Sequence, residues 1–186
     1  MTVGRTMTTG ALAGLILCGA AMHRDVSAQG ATTTAVARGK YLVDSGGCHD
    51  CHSPKKMGAN GPEVDPARLL SGFVSDTQLP AAPQLEGPWG AVATWDLTAW
   101  SGPWGRSYAA NLTPDVATGL GAWSEPMFVN TFRNGKHMGT GRPILPPMPW
   151  QTISKLNDDD LKAVFAYLKS LPPVKNLVPA PLPPAK

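Results

Sequence analysis

Cysteine and histidine residues with the spacing of a haem attachment site occur at Cys48-His49-Asp50-Cys51-His52. In a C-x-x-C-H sequence the two thiols form thioether bonds with the vinyl groups of a haem, and the histidine that follows coordinates the iron. We therefore predict one covalent haem c, attached through Cys48 and Cys51, with His52 as the proximal ligand of its iron.

Two other kinds of site also use paired cysteines. A structural zinc site needs four ligands, usually from two such pairs, but the remaining cysteine of the sequence, Cys18, lies in a predicted leader peptide. A thioredoxin-like dithiol follows a strand in a βαβ pattern, whereas the residues before Cys48 are typical of a helix that ends at Gly46-Gly47. The sequence therefore favours haem over zinc or a redox dithiol.

A second axial ligand is needed if the iron is to change oxidation state without large rearrangement, and a thioether raises its potential relative to a second imidazole. Met148 lies in Leu145-Pro146-Pro147-Met148-Pro149-Trp150, whose prolines exclude helix and hold the backbone extended. We predict that Met148 is the distal ligand. His137 and Met138 are the alternatives.

The two propionates of a haem need hydrogen-bond donors, and a guanidinium or an indole N–H is well suited to them. Arg142 lies six residues before Met148, and tryptophans occur at positions 123 and 150. We predict that Arg142 and either Trp123 or Trp150 donate to the propionates.

Three helices that would position these residues are indicated by capping residues and apolar spacing. The first is predicted from about Ala35 to Ser45 and contains Gly39, which is either tolerated there or required by a close helix contact. The second is predicted from Glu125 to Asn134. The third begins after the N-cap Asn157 and is stopped by Pro172-Pro173.

The segment between Met57 and Ala110 is rich in glycine and proline and contains four tryptophans, a composition that argues against helices. A loop of this length is uncommon in a compact domain unless it packs on itself or has a function. We predict an insertion that covers one haem edge as a lid, with partner docking as the alternative. Its tryptophans are Trp89, Trp95, Trp100 and Trp104.

The first 28 residues have the three parts of a secretory signal peptide. Arg5 supplies positive charge, an apolar run extends from Ala11 to Met22, and Val26-Ser27-Ala28 offers small residues for cleavage. Because the run is shorter than the roughly 20 residues that span a bilayer, we predict a cleaved leader and a periplasmic protein. The alternatives are an uncleaved anchor and a lipoprotein attached at Cys18.

Cleavage after Ala28 would leave 158 residues with 14 basic and 12 acidic side chains. This length suits one domain with a substantial core. The small net charge gives no indication of nucleic acid binding. It also provides no strong electrostatic field that would attract a positively or a negatively charged partner. We predict a domain over residues 29–174, with the insertion at about 57–110, and a proline-rich tail over 175–186.

Short motifs follow one another along the chain in a recognisable order. They are Arg38-Gly39-x-Tyr41-Leu42, Asn111-Leu112-Thr113-Pro114-Asp115, Thr118-Gly119-Leu120-Gly121-x-Trp123, Met148-Pro149-Trp150 and Asp159-Asp160-Leu161 with Ala166-Tyr167-Leu168. Together with C-x-x-C-H, they resemble bacterial class I cytochromes c, particularly the haem domains of membrane-associated alcohol and gluconate dehydrogenase cytochrome subunits. The likeness covers about Val36 to Val174.

The resemblance implies an all-α class I cytochrome c fold in which the first and last helices cross near Gly39, and it also implies Met148 as the iron ligand. Those dehydrogenase subunits carry three haem domains, whereas this sequence has one C-x-x-C-H. We therefore expect an exported single-haem electron carrier that cycles between Fe(III) and Fe(II) and is not an enzyme by itself.

The expected partners are redox proteins, either a dehydrogenase or the donors and acceptors of a respiratory chain. Two other functions remain open from the sequence. One is a haem enzyme or gas-binding protein with an open sixth site, for which His137 is the candidate acid or base. The other is a fixed electron-transfer subunit of a membrane-associated dehydrogenase complex.

Overall fold

A computed structural model gives the structure of this chain and describes residues 1–2 and 19–184. Arg5, Cys18 and most of the apolar run of the predicted leader lie outside the described residues. In the described part, no helix combines the length and the apolar character needed to cross a membrane. The α-helices of that part are α1 (Gly19–Ser45), α2 (Cys48–His52), α3 (Glu125–Asn134), α4 (Trp150–Ile153) and α5 (Asp158–Ser170).

Helix α1 ends at Ser45, directly before the two glycines, as predicted, but it begins at Gly19 rather than near Ala35. The residues before Ala35 include several alanines, and alanine has the highest helix propensity. At Gly39 the helix meets α5 so closely that an added Cβ atom would lie 1.9 Å from the carbonyl oxygen of Ala163. The expected contact of the first and last helices at Gly39 is therefore confirmed.

Helices α3 and α5 have the predicted bounds because their caps are encoded locally. The hydroxyl of Ser124 accepts a hydrogen bond from the backbone N–H of Met127 at the start of α3. At the start of α5, Oδ1 of Asn157 accepts from the N–H of Asp160 at 2.8 Å. Both predicted helices are confirmed.

The hydrophobic core lies where α1, α3 and α5 meet. Phe128 of α3 packs against Phe165 of α5 with ring centroids 5.1 Å apart. Leu70, which belongs to the insertion, is fully buried in the same core. The core is therefore built from both the helices and the insertion, and its buried members are Val43, Leu70, Leu120, Phe128, Phe132, Leu161, Phe165, Tyr167 and Leu168.

The insertion forms short antiparallel strands, so the prediction of an all-α fold is not confirmed. One two-stranded and one three-stranded sheet are present among the described residues. Gly61 (φ 113°) and Gly105 (φ 95°) adopt positive φ at the tight turns, a conformation that glycine reaches without a steric penalty. The strands are β1 (Lys55–Gly58), β2 (Gly61–Val64), β3 (Val92–Ala93), β4 (Ala99–Gly102) and β5 (Gly105–Tyr108).

The proline-rich end of the chain packs along the insertion. The backbone of Leu182 exchanges two hydrogen bonds of 2.9 Å with Arg106 of β5. The side chain of Asn176, which is 3% exposed, donates to the carbonyls of Ser71 and Phe73 at 2.7 Å each. Residues 175–184 are thus held by specific backbone partners, although their prolines prevent helix formation.

Candidate haem site

Helix α2 consists of the five residues of the C-x-x-C-H sequence. It begins after Gly47, whose left-handed conformation (φ 70°, ψ 20°) turns the chain sharply at the end of α1. In a helix, residues three and four apart lie on neighbouring positions of one face. The two cysteines and His52 are therefore presented together by a single helical turn.

The imidazole of His52 is buried, with 8% of its surface exposed, and its Nδ1 lies 2.8 Å from the carbonyl oxygen of Ala110. A carbonyl oxygen only accepts hydrogen bonds, so Nδ1 carries the proton and Nε2 keeps a free lone pair. Burial lowers the pKa of His52, which favours the neutral ring. A neutral, oriented imidazole is the form that binds a metal.

Cys48 and Cys51 are unpaired thiols, both partly buried. Burial raises the pKa of each thiol above its ordinary value. Cys48 packs against the hydrophobic core. Because the two sulfur atoms are not joined in a disulfide, both are available for thioether bonds.

Met148 is half-buried and packs against the same core cluster as Cys48. The two residues that compete with it as distal ligand, His137 and Met138, are exposed. Of these three residues, Met148 is the one whose side chain is partly buried against the cluster that Cys48 also contacts. With two free thiols, a neutral imidazole and a partly buried thioether, the donor set fits a covalent haem.

The residues predicted to contact the propionates lie in different surroundings. Trp123 and Trp150 both pack against the core cluster, and the Trp123 ring meets His137 edge-on at 5.0 Å. Arg142 is exposed, and its guanidinium donates to the carbonyl of the neighbouring Pro143 at 3.2 Å. The structure thus brings the tryptophans, but not Arg142, to the core that Cys48 and Met148 share.

The order of these features matches a known family model, described as cytochrome c, over residues 36–172. This chain belongs to the cytochrome c family. It carries one covalently bound haem c, for which Cys48, Cys51 and His52 form the attachment sequence. The family supports the predicted class I cytochrome fold, to which this cytochrome c adds its two small sheets.

Curated relatives of this cytochrome c belong to dehydrogenases. One of the subunits of a nicotinate dehydrogenase from Pseudomonas putida is 40% identical over 78 residues, which are 42% of this chain and 6% of the relative. The gluconate 2-dehydrogenase cytochrome c subunit of Pantoea cypripedii is 29% identical, covering 74% of this chain and 23% of the relative.

The cytochrome c subunit of a quinone-type alcohol dehydrogenase from Komagataeibacter europaeus is also 29% identical, covering 81% of this chain and 27% of the relative. This cytochrome c therefore spans about a quarter or less of the length of these relatives. The likeness accordingly concerns only part of each larger subunit.

Two contacts of the site were not predicted from the sequence. One is the carbonyl of Ala110 on His52, and the other is a hydrogen bond of 2.6 Å from the hydroxyl of Ser107 to the carbonyl of Pro146. Both acceptors are backbone carbonyls, which every residue possesses. The available signal was positional: the first lies directly before the Asn111 motif, and the second lies two residues before Met148.

Proposed function

We propose that this cytochrome c is an electron carrier in which His52 and Met148 are the two axial ligands of the iron. The observation that carries this proposal is the buried His52 ring, held by the Ala110 carbonyl at 2.8 Å beside two unpaired thiols. When bound, the haem supplies the one-electron chemistry of Fe(III) and Fe(II). The chain itself is not proposed to catalyse a reaction on a substrate.

Each residue of the proposed site has a separate task. Cys48 and Cys51 tether the macrocycle, and His52 offers Nε2 while Ala110 fixes the orientation of its ring. The thioether of Met148 would occupy the sixth position and favour the reduced state relative to a second imidazole. Donors from Arg142 and from Trp123 or Trp150 would form hydrogen bonds with the propionates, and the Arg142 guanidinium would also offset their negative charge.

An optical spectrum of the purified ferric protein tests the axial ligands. Coordination by methionine sulfur gives a weak near-infrared charge-transfer band, and a filled sixth site leaves the ferrous spectrum unchanged by carbon monoxide. We expect both results for the native protein. Met148→Ala should lose the band and bind carbon monoxide, while Met57→Ala, in which the replaced side chain is 70% exposed, should behave as the native protein.

The opposite outcome would identify a different function. If the native protein lacks the sulfur band and binds carbon monoxide, the sixth site is open and the haem enzyme or gas-binding alternative replaces electron transfer. If the band survives in Met148→Ala, another methionine is the ligand, and Met138→Ala is the next variant to compare.

A dehydrogenase is the electron donor that we propose, because the relatives are named as dehydrogenase subunits. In the second candidate function this chain is itself a fixed subunit of such a complex, associated with a membrane. Size-exclusion chromatography of the native extract distinguishes the two. Haem absorbance that elutes with a larger flavin- or quinone-containing assembly supports the subunit, whereas a free monomer supports the mobile carrier.

Export to the periplasm is the location that we propose from the leader pattern. Haem attachment to exported apoprotein would then follow removal of residues 1–28. Helix α1 extends across the proposed cleavage site, and cleavage would leave Gly39 and its contact with α5 in place. Mass spectrometry of the periplasmic protein should find Gln29 as the first residue, and a retained leader would indicate an anchor.

A further inference from the structure

One short run of the insertion contacts both sides of the proposed haem site. Ala110, at its end, accepts a hydrogen bond from the His52 ring. Three residues earlier, the hydroxyl of Ser107 donates to the carbonyl of Pro146 at 2.6 Å. Pro146 precedes Met148 by two residues, so the same run is connected to the proximal histidine and to the loop of the proposed distal ligand.

Ser107 is placed to hold this loop rather than to meet solvent. It is 8% exposed, and its oxygen accepts a hydrogen bond from Nε1 of Trp104 at 3.2 Å. Since that indole can only donate, the hydroxyl hydrogen of Ser107 is directed to the Pro146 carbonyl. A buried hydroxyl with both a donor and an acceptor satisfied has a defined orientation.

The part of the Met148 loop that precedes the methionine has few backbone donors of its own. Pro146, Pro147 and Pro149 lack backbone N–H groups, so they cannot donate the local hydrogen bonds that usually order a loop. On the C-terminal side of the loop, the carbonyls of Met148 and Pro149 accept from the backbone N–H groups of Trp150 and Thr152 at 2.9 and 3.0 Å. An external donor such as the Ser107 hydroxyl therefore gives the segment before Met148 a fixed point.

The segment that carries Ser107 is itself anchored on both edges. Strand β5 pairs with β4, with Trp100 opposite Ser107. On the other edge, Arg106 pairs with Leu182 of the C-terminal segment through two bonds of 2.9 Å. Beyond β5, the N–H of Ala109 donates to the carbonyl of Thr98 at 2.8 Å. Because β5 is held on both edges, the Ser107 hydroxyl offers the Met148 loop a hydrogen-bond donor at a fixed position.

We propose that Ser107 is a positioning residue for the Met148 thioether: its hydrogen bond to Pro146 holds the loop where the sulfur reaches the iron. This inference rests on the proposed function, in which Met148 is the distal ligand. The tryptophan-rich insertion then has a definite role, because it holds the Met148 loop in position. Loss of the Ser107 hydrogen bond should weaken the bond between the Met148 sulfur and the iron without altering covalent haem attachment.

Imidazole competition against the haem-loaded ferric protein tests the proposal. Added imidazole displaces a weakly held methionine, and loss of the near-infrared sulfur band reports the displacement. We expect Ser107→Ala to need about tenfold less imidazole than the native protein, because one hydrogen bond contributes about this factor to an equilibrium. Ser101→Ala is the matched control, since that hydroxyl bonds to Gly105 within the same hairpin, and it should leave the titration unchanged.

A second pair of variants separates the loss of the hydroxyl from any change in side-chain packing. Ser107→Thr keeps the hydroxyl and Ser107→Val lacks it, while the two side chains have nearly the same shape and both suit a strand. We expect the Val variant to release methionine at about tenfold lower imidazole than the Thr variant. Equal titrations for this pair, with equal haem content on denaturing gels, would overturn the proposal.

The same measurements separate this proposal from the proposed function. If Met148→Ala retains the sulfur band, the ligand assignment fails and the role of Ser107 fails with it. If Met148→Ala loses the band but the variants without the Ser107 hydroxyl titrate like the native protein, Met148 remains the ligand. Only the positioning role of Ser107 is then excluded. A selective effect of the Ser107 hydroxyl, absent in Ser101→Ala, supports both.

Discussion

Nδ1 of His52 lies 2.8 Å from the carbonyl oxygen of Ala110, 58 residues further along the chain. This hydrogen bond joins the attachment helix to the end of the tryptophan-rich insertion. It orients the ring, and burial keeps its neutral form favoured. A contact between such distant residues means that the orientation of the His52 ring depends on the folding of the insertion.

The ring proton on Nδ1 of His52 should therefore be protected from solvent exchange. In proton NMR spectra of the reduced haem-loaded protein, we expect this proton to exchange much more slowly than ring protons of His137, whose side chain is exposed. The physical reason is that exchange requires local opening of a buried hydrogen bond. Equal exchange at the two histidines would show that the Ala110 contact is not maintained.

Asn176→Ala should strongly destabilise the fold. The Asn176 side chain donates to Ser71 and Phe73 and accepts from the N–H of Ser75 at 3.1 Å, so truncation leaves several backbone groups without this partner. We expect the free energy of unfolding to fall by about 2 to 5 kcal/mol. Denaturant titration followed by circular dichroism measures the change, and Leu177→Ala, at an exposed neighbouring position, should have little effect.

Gly39→Ala should destabilise the protein despite the higher helix propensity of alanine. The propensity gain is at most about 1 kcal/mol, whereas the new methyl group would lie 1.9 Å from the Ala163 carbonyl oxygen, which forces α1 and α5 apart. We expect a net loss of about 1 to 3 kcal/mol in the free energy of unfolding. Gly90→Ala is the control, because an added Cβ atom there meets nothing within 4 Å.

The ion pair between Arg38 and Asp160 should make stability depend on pH in the acid range. Two hydrogen bonds, of 2.8 and 3.1 Å, join the guanidinium to the carboxylate, and the bond to Arg38 lowers the pKa of Asp160. A carboxyl group with a lowered folded-state pKa binds fewer protons in the folded than in the unfolded chain. Its stabilising contribution is present above the unfolded-state pKa of about 3.9 and is lost as pH falls through the folded-state value.

Asp160→Asn should consequently lower the midpoint of denaturant unfolding at neutral pH. The difference in midpoint between this variant and the native protein should shrink as pH decreases into the acid range. Asp159→Asn, at the exposed neighbouring carboxylate, serves as the control at each pH. A difference between Asp160→Asn and native protein that stays constant across the titration would contradict the ion-pair explanation.

Features specified by neighbouring residues were predictable from the sequence. The starts of α3 and α5 follow from the caps Ser124 and Asn157, whose side chains accept hydrogen bonds from the backbone N–H three residues further on. The haem attachment sequence is equally local, since a single helical turn presents its two thiols and its imidazole. Such signals are readable because the interacting groups are close along the chain.

The strands of the insertion were not predicted, because glycine, proline and tryptophan show no alternating pattern there that distinguishes a strand from a loop. Their pairing depends on which backbone segments meet, as when Arg106 pairs with Leu182 across the C-terminal segment. Which backbone segments pair is decided only when the whole chain is folded.

The sequence by itself therefore determined the covalent haem, its attachment sequence at Cys48, Cys51 and His52, and the helices of the core apart from the start of α1. Tertiary structure decided what holds the site in place: the carbonyl of Ala110 on His52, the hydroxyl of Ser107 on Pro146, and the packing of Gly39 against Ala163. The physical reason is that carbonyls and hydroxyls are common along any chain. Only the folded backbone selects which of them become partners.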